Sequence, residues 1–262
     1  MQFIDQMQRT VTLSTVPRRM VSLVPSQTEL LVDLGLRNNL VGITKFCIHP
    51  INLRNEITIV GGTKQVHLDK IKALQPDIIL CNKEENTLEM VEALEKIAPV
   101  WVSDIISMED CFAMIKAFGE LFQKEKNALS IIKNIEGEWR DFNDFISEKP
   151  IKKVAYLIWK NPYMVAGKNT FINTLLEINH FENSFKEREE RYPEITENEL
   201  VKTQLILLSS EPYPFKKEDA LLLSKINYTG EVVLVDGEFF SWYGSRLAKA
   251  FQYFKKLHAL KS

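Results

Sequence analysis

The sequence predicts an α/β protein: two similar parallel-sheet lobes joined by a long backbone α-helix, with a ligand cleft between the lobes. Three observations predict it. Short apolar runs alternate with amphipathic stretches in both halves of the chain. Strand signals vanish over residues 107–149. The halves also repeat: Val21/Val154 and Val100/Val233 are each offset by 133 residues, and Ile79/Ile206 by 127. The expected division is an N-terminal α/β lobe over 1–106, a helical linker over 107–149 and a C-terminal α/β lobe over 150–262.

Each element follows from its local pattern. Met20–Val24 (MVSLV) reads as a buried strand, and Thr28–Leu36 as the helix after it, with Ser26 or Thr28 placed to cap it. Leu40–Thr44 is a short strand. Leu68–Leu74 is helical until Gln75-Pro76 ends it, and Asp77–Cys81 (DIILC) is the next strand. Thr87–Ile97 carries Leu88, Val91 and Leu94 at helical spacing, Pro99 stops it, and Val100–Val102 is a strand. One helix then runs from about Met108 to Phe122. A longer one follows from Lys124 to Ile146, marked by Ile131, Ile135, Trp139, Phe142 and Ile146. Alternation resumes after Pro150. Strands are expected at Lys153–Ile158, Gln204–Leu208 and Val232–Val235, and helices at Thr170–Ile178, Glu197–Lys202, Lys217–Leu223 and Arg246–Leu260. Strand–helix–strand units imply mainly parallel sheets. Their ligands sit beyond the carboxyl ends of the strands.

Composition narrows the function. The 262 residues carry 33 Lys+Arg against 35 Asp+Glu, a formal net charge of −2, so a nucleic-acid partner is not expected. No run of about 18 apolar residues exists to span a bilayer. Cys47, Cys81 and Cys111 are an odd count. Three reduced, buried thiols are expected, and a Cys47–Cys81 disulfide stays open. Met1–Arg9 has no basic start, apolar core or small-residue cleavage site, so the chain is either cytosolic or lacks its leader.

The chemistry must lie in the strand-end loops. No GxGxxG occurs, and Gly167-Lys168 is followed by Asn169, so a phosphate-binding P-loop is not expected. There is no GxSxG elbow, and Ser26 has no histidine partner, so no catalytic residue is assigned. Cys47, His49 and His67 fall short of a metal-ligand pattern, so no protein metal site and no cofactor are assigned. His180 and His258 read as surface or helix-end residues, and Lys186–Arg191 (KEREER) as a solvated charge run. The second half is different: Trp159, Tyr163, Tyr192, Tyr213, Phe215, Phe239, Phe240, Trp242 and Tyr243 all lie in or near loops. Such rings can seal sheet ends. As a group they suit a flat, bulky organic ligand.

Several segments together resemble the helical-backbone (class III) substrate-binding proteins of ABC importers. They are Arg19–Leu30 (RMVSLVPSQTEL), Val60-Gly61-Gly62, Asp69–Cys81 (DKIKALQPDIILC), Asn161–Glu177 (NPYMVAGKNTFINTLLE) and Val235–Leu247 (VDGEFFSWYGSRL). The cobalamin-binding type is the most similar. The resemblance implies a non-catalytic receptor for a bulky metal–organic ligand, the cobalt or iron belonging to the ligand. Phe46 or Cys47 matches a cleft aromatic of that type, and Tyr192 a corrin-contacting tryptophan. Thr63 and Asn82 stand where the cobalamin receptor has tryptophans, which leaves an iron–siderophore or haem open beside a corrinoid. The expected ligand-binding set is Ser26, Phe46, Cys47, Thr63, Asn82, Trp159, Tyr163, Tyr192, Tyr213, Phe239, Phe240 and Trp242. Docking to a permease through one acidic residue per lobe is implied at Asp69 and, around Asn198, at Glu197 or Glu199. A monomer in the periplasm or cell envelope is implied. The alternative is a cytosolic bilobal tetrapyrrole or metal-cofactor enzyme, or a ligand sensor that kept the receptor fold.

Overall fold

A computed structural model describes residues 1–225 and 230–259. The chain divides into two compact units. Unit 1 comprises Met1–Ile105, Glu109–Glu136 and Tyr243–Arg246, and unit 2 comprises Ile106–Met108, Gly137–Trp242 and Leu247–Ser262. Residues 107–149 are shared between the units, and Tyr243–Arg246 belongs with the N-terminal one.

Unit 1 opens with a hairpin that the apolar pattern did not reveal, β1 (Gln2–Ile4) paired antiparallel with β2 (Thr10–Thr12). Its turn is built on buried Asp5, which accepts the N–H groups of Met7 and Arg9 at 3.0 and 2.9 Å and the Arg9 guanidinium at 2.7 Å. A sheet follows: β3 (Met20–Ser22), α1 (Pro25–Asp33), β4 (Leu40–Ile43), α2 (Leu53–Glu56), β5 (Thr58–Ile59), α3 (Leu68–Ala73), β6 (Ile78–Asn82), α4 (Leu88–Glu95) and β7 (Val100–Ser103). Its strand order is β5-β4-β3-β6-β7, parallel throughout. Val21, Leu23, Val60, Ile71, Ile79, Cys81 and Leu94 form its core. Thr87 caps α4 as its position predicts, accepting the Met90 N–H at 3.2 Å.

Helix α1 corrects the expected boundary. It begins at Pro25, with Val24 as an N-cap that makes no side-chain capping bond. Proline fits the first helical position because its φ is already helical and its missing N–H is not needed there. Ser26 and Thr28 are thus inside the helix. The Thr28 hydroxyl bonds the Ser22 hydroxyl at 2.7 Å and the Val24 carbonyl at 2.9 Å.

Helices α5 (Met108–Leu121) and α6 (Glu125–Ile146) fill the stretch without strand signals. They approach closely at Gly119, where a Cβ would stand 2.7 Å from that of Ala128. The 22 residues of α6 serve both units. In unit 2 its Trp139 stacks on Phe251 at 6.3 Å, and Phe142 packs on Phe251 and Phe254.

Unit 2 continues with β8 (Lys152–Trp159), β9 (Tyr163–Val165), α7 (Phe171–Ile178), β10 (Phe181–Asn183), β11 (Glu194–Ile195), α8 (Glu197–Leu200), β12 (Leu205–Ser209), α9 (Lys217–Leu223), β13 (Glu231–Val235), α10 (Glu238–Ser241) and α11 (Leu247–Ala259). The predicted end of the last helix at Leu260 lies outside the described residues. Strands β10, β8, β12 and β13 are linked by parallel pairing, whereas β9 runs antiparallel to β8 and β11. The reversal occurs at Asn161, whose φ of 65° is one that asparagine tolerates in a tight turn. Among the described residues no helix is long and apolar enough to cross a membrane.

Candidate functional site

Because the unit 1 sheet is parallel, the carboxyl ends of β3 to β7 share one edge, and the loops after them form one face. The first turn of α1 supplies Ser26 and Gln27, both buried. Gln27 donates from Nε2 to the Tyr243 hydroxyl at 3.2 Å and to the Cys81 carbonyl at 3.4 Å. Its Oε1 is buried without a hydrogen-bond partner. Burial pushes the Tyr243 hydroxyl up; its bonds to Gln27 and Ser26 pull the other way. Two residues on, Glu29 pairs with Arg246 at 2.7 Å.

Two residues of the expected ligand set on this face, Cys47 and Asn82, are buried. Cys47 has no exposed surface, and its thiol lies 3.2 Å from the hydroxyls of Thr28 and Thr44. Burial pushes that thiol up, so it stays protonated and inert. Asn82 shapes the next loop: its Oδ1 accepts the N–H groups of Glu84 and Glu85 at 2.8 and 3.3 Å, and its Nδ2 donates to the Ser103 carbonyl at 3.1 Å. Asn86 closes the arrangement by donating to the Thr63 carbonyl at 2.8 Å. Phe46 is 46% exposed, with the Lys45 ammonium 5.0 Å from its ring centroid. Thr63 is half-buried. Burial raises the Glu85 carboxyl above the usual range, and the nearby Lys64 charge offsets only part of that rise.

In unit 2 the ends of β8 and β12 bring Trp159 and Tyr213 together at 5.7 Å, and Tyr213 meets Phe215 at 4.8 Å. Trp159 is 41% exposed, so one ring of this cluster faces solvent. Lys160 holds Asp219 at 2.5 Å beside it. Tyr163 is half-buried, and burial raises its hydroxyl. Tyr192 is half-buried in the loop before β11.

The Phe239–Trp242 segment does not join that cluster. Phe240 is fully buried in the core, 5.1 Å from Tyr156 and 4.8 Å from Phe254. Phe239 stacks on Tyr253 at 4.7 Å. Trp242 is buried and donates from Nε1 to Glu211 at 2.9 Å; Ser241 donates to the same carboxylate oxygen at 2.7 Å. The short helix α10 turns Phe240 inward.

The acidic residues differ in freedom. Asp69 and Glu197 are exposed in the first turns of α3 and α8. Glu199 closes a capping box, accepting the N–H and hydroxyl of Thr196 at 2.8 and 2.9 Å, and pairs with Arg188. Among the described residues no three His, Cys, Asp or Glu side chains cluster to hold a metal, and Cys47, Cys81 and Cys111 are free thiols. His180 bonds the Lys149 carbonyl, and His258 packs on Phe181 in the last turn of α11. Gln27, Glu85, Asn86, Glu211 and Tyr243 also lie in these strand-end segments, outside the expected ligand-binding set. The available signal was position, since each lies in a loop or first turn directly after a strand or helix.

Known proteins share this plan. The chain is 28% identical over 189 residues to "Uncharacterized ABC transporter substrate-binding lipoprotein YvrC" of Bacillus subtilis, covering 69% of this chain and 59% of that one. It is 27% identical over 181 residues to the "Vitamin B12-binding protein" of Vibrio parahaemolyticus, covering 63% of this chain and 65% of the relative. It thus spans about six tenths of the length of these two relatives. The fold is that of the periplasmic vitamin B12 binding protein BtuF of Vibrio cholerae, with a TM-score of 0.80 at 16% identity over 94% of this chain and 98% of that one. The family description "Periplasmic binding protein" matches residues 20–208, and the chain belongs to that family.

Proposed function

We propose that the chain is the ligand-capturing receptor of an ABC-type importer, working by binding rather than catalysis. Its ligand is a bulky metal–organic compound: a corrinoid, an iron–siderophore or haem. The observation that carries the reading is the Trp159–Tyr213–Phe215 cluster at the strand ends of unit 2, with Trp159 partly open to solvent. A flat macrocycle or aromatic chelate buries large area on such rings at little entropic cost. Phe46, Thr63, Tyr163 and Tyr192 supply further exposed or half-buried surface on the strand-end loops of their own units. Family membership supports a place in the cell envelope and an importer permease as partner. Asp69 and Glu197 are the carboxylates free to meet cationic residues of that permease, whereas Glu199 is engaged in its cap.

Titration of the full chain with cobalamins, haem and ferric siderophores, read by ligand absorbance and tryptophan fluorescence, tests the proposal. The expected result is one ligand class with a Kd below about 10 μM. Absence of binding across the panel at that concentration overturns it.

A further inference from the structure

The rings of Trp159 and Tyr213 belong to different segments of unit 2. Trp159 ends β8, and Tyr213 lies between β12 and α9. Two polar contacts join these segments. The Tyr213 N–H donates to the carbonyl of Ile158, the residue before Trp159, at 3.2 Å. The residue after Trp159 makes the second contact: the Lys160 ammonium reaches Asp219 Oδ1 at 2.5 Å, with the two side chains 19% and 13% exposed. The other oxygen of Asp219, Oδ2, accepts the Lys216 N–H at 2.9 Å and caps the start of α9. Asp219 thus uses both oxygens, one on the turn that follows Trp159 and one on the helix that follows the Tyr213 segment. Between these contacts the rings stand edge-on, 5.7 Å between centroids and 72° between planes.

An ion pair this close to solvent adds little to stability, because the charges are screened and the lysine chain gives up rotamer freedom. Its consequence is geometric. We infer that Lys160 and Asp219 are positioning residues: their ion pair fixes the β8–β9 turn to the start of α9 and so holds the partly exposed Trp159 ring edge-on to Tyr213 before a ligand arrives. A ligand that packs on a ring already held loses less ordering entropy on binding. The ammonium is matched by Asp219, so Lys160 holds the turn and does not meet the ligand. The inference rests on the receptor reading and names the residues that preorganise its aromatic surface.

The test uses the full chain and two readouts. Acrylamide quenching without ligand reports the accessibility of Trp159, taken as the difference between each protein and its Trp159→Phe counterpart. Titration with cyanocobalamin and with haemin reports affinity. Lys160→Met leaves Asp219 on the Lys216 N–H, so the start of α9 is kept. It is expected to raise the Trp159 quenching constant about twofold and to weaken the bound probe about three- to tenfold, the effect of re-ordering one or two side chains on binding. Lys160→Arg keeps charge and reach and is expected to recover most of both losses. Asp219→Asn is expected to match Lys160→Met, and the double variant to add little to either. A merely structural pair would lower stability and leave the Trp159 signal of the folded protein unchanged. Unchanged quenching in Lys160→Met therefore overturns the inference, and a fall in affinity without it would make Lys160 a direct ligand contact. Raised quenching with unchanged affinity overturns it as well. These outcomes leave the receptor reading standing. Binding of neither probe by the wild-type chain overturns that reading and this inference with it.

Discussion

Arg246 donates from Nε and Nη2 to the two carboxylate oxygens of Glu29, at 2.7 and 3.1 Å, and both side chains are 6% exposed. The residues are 217 positions apart. The same short segment places Tyr243 on Gln27 and the Gly244 N–H on the Cys111 sulfur at 3.2 Å. Gly244 allows the approach with a φ of 94°. These polar contacts fasten the segment Tyr243–Arg246 into unit 1.

Removing one partner of that pair leaves a buried charge unmatched. Arg246→Met or Glu29→Leu alone is expected to cost about 3–5 kcal/mol, and the double variant substantially less than the sum. Urea denaturation of the four proteins checks this. Additive losses would show that the pair is not coupled.

Phe240 and Trp159 separate packing from binding. Phe240→Ala opens a core cavity and is expected to lower stability by about 3–5 kcal/mol. Trp159→Ala removes a ring that is 41% exposed. It is expected to weaken ligand binding about tenfold, with a much smaller stability loss than Phe240→Ala. Denaturation and titration of both variants check the contrast.

Gly119 tests the closeness of α5 and α6. A Cβ there meets that of Ala128 at 2.7 Å. Gly119→Ala is therefore expected to cost about 1–3 kcal/mol despite alanine's better helix propensity. Ala128→Gly in the same chain should recover part of that loss by vacating the space. Thermal unfolding of the single and double variants measures the recovery.

Two carboxylates should respond to pH with opposite signs. The Thr196 N–H, its hydroxyl and Arg188 hold Glu199 below the usual range, although burial opposes them. Its contribution, about 1 kcal/mol for a capping interaction, is present above the unfolded carboxylate pKa and disappears as pH falls through the depressed folded value. Burial raises Glu85, so its ionisation opposes folding as pH rises from the unfolded value toward the raised one. Glu199→Gln is expected to lose stability at neutral pH and match the wild type in acid. Glu85→Gln is expected to gain relative to wild type as pH rises. Denaturation midpoints from pH 3 to pH 8 check both signs.

Docking is separable from capture. Asp69→Arg with Glu197→Arg reverses two exposed charges in helix first turns. Ligand affinity is expected to be unchanged within about twofold, because both side chains are exposed in helix first turns. Uptake through the proposed permease is expected to fall at least about tenfold by loss of charge complementarity. Loss of ligand binding in this variant would place the two residues in capture instead.

Much of the fold was legible in local spacing. The helix α6, with Trp139 and Phe142 on its apolar side, and the capped starts of α4 and α7 at Thr87 and Thr170 follow from residues within a few turns of one another. The short elements β1, β2, β5, β9, β10, β11 and α10 were not legible. Two to four residues are too few to express a period, and their stability comes from neighbours in the sheet rather than from their own sequence. The site followed the same division. Aromatic residues in loops stand out in sequence, but only the structure shows that Trp159 is exposed beside Tyr213 and that α10 buries Phe240.

The sequence by itself determined the α/β alternation, the repeated plan of the two halves, the long helix and the strand-end loops where chemistry belongs, because each depends on hydrophobic period and turn residues close in the chain. Only the tertiary structure decided which polar side chains in those loops are structural and which are open. Buried Asn82 and Cys47 and half-buried Glu199 are engaged by partners, while Asp69 and Trp159 keep exposed surface. Hydrogen bonding and desolvation are set by atoms brought within about 3 Å of one another. The pairing of Glu29 with Arg246 across 217 positions is the clearest case, since no local pattern in either segment encodes its partner.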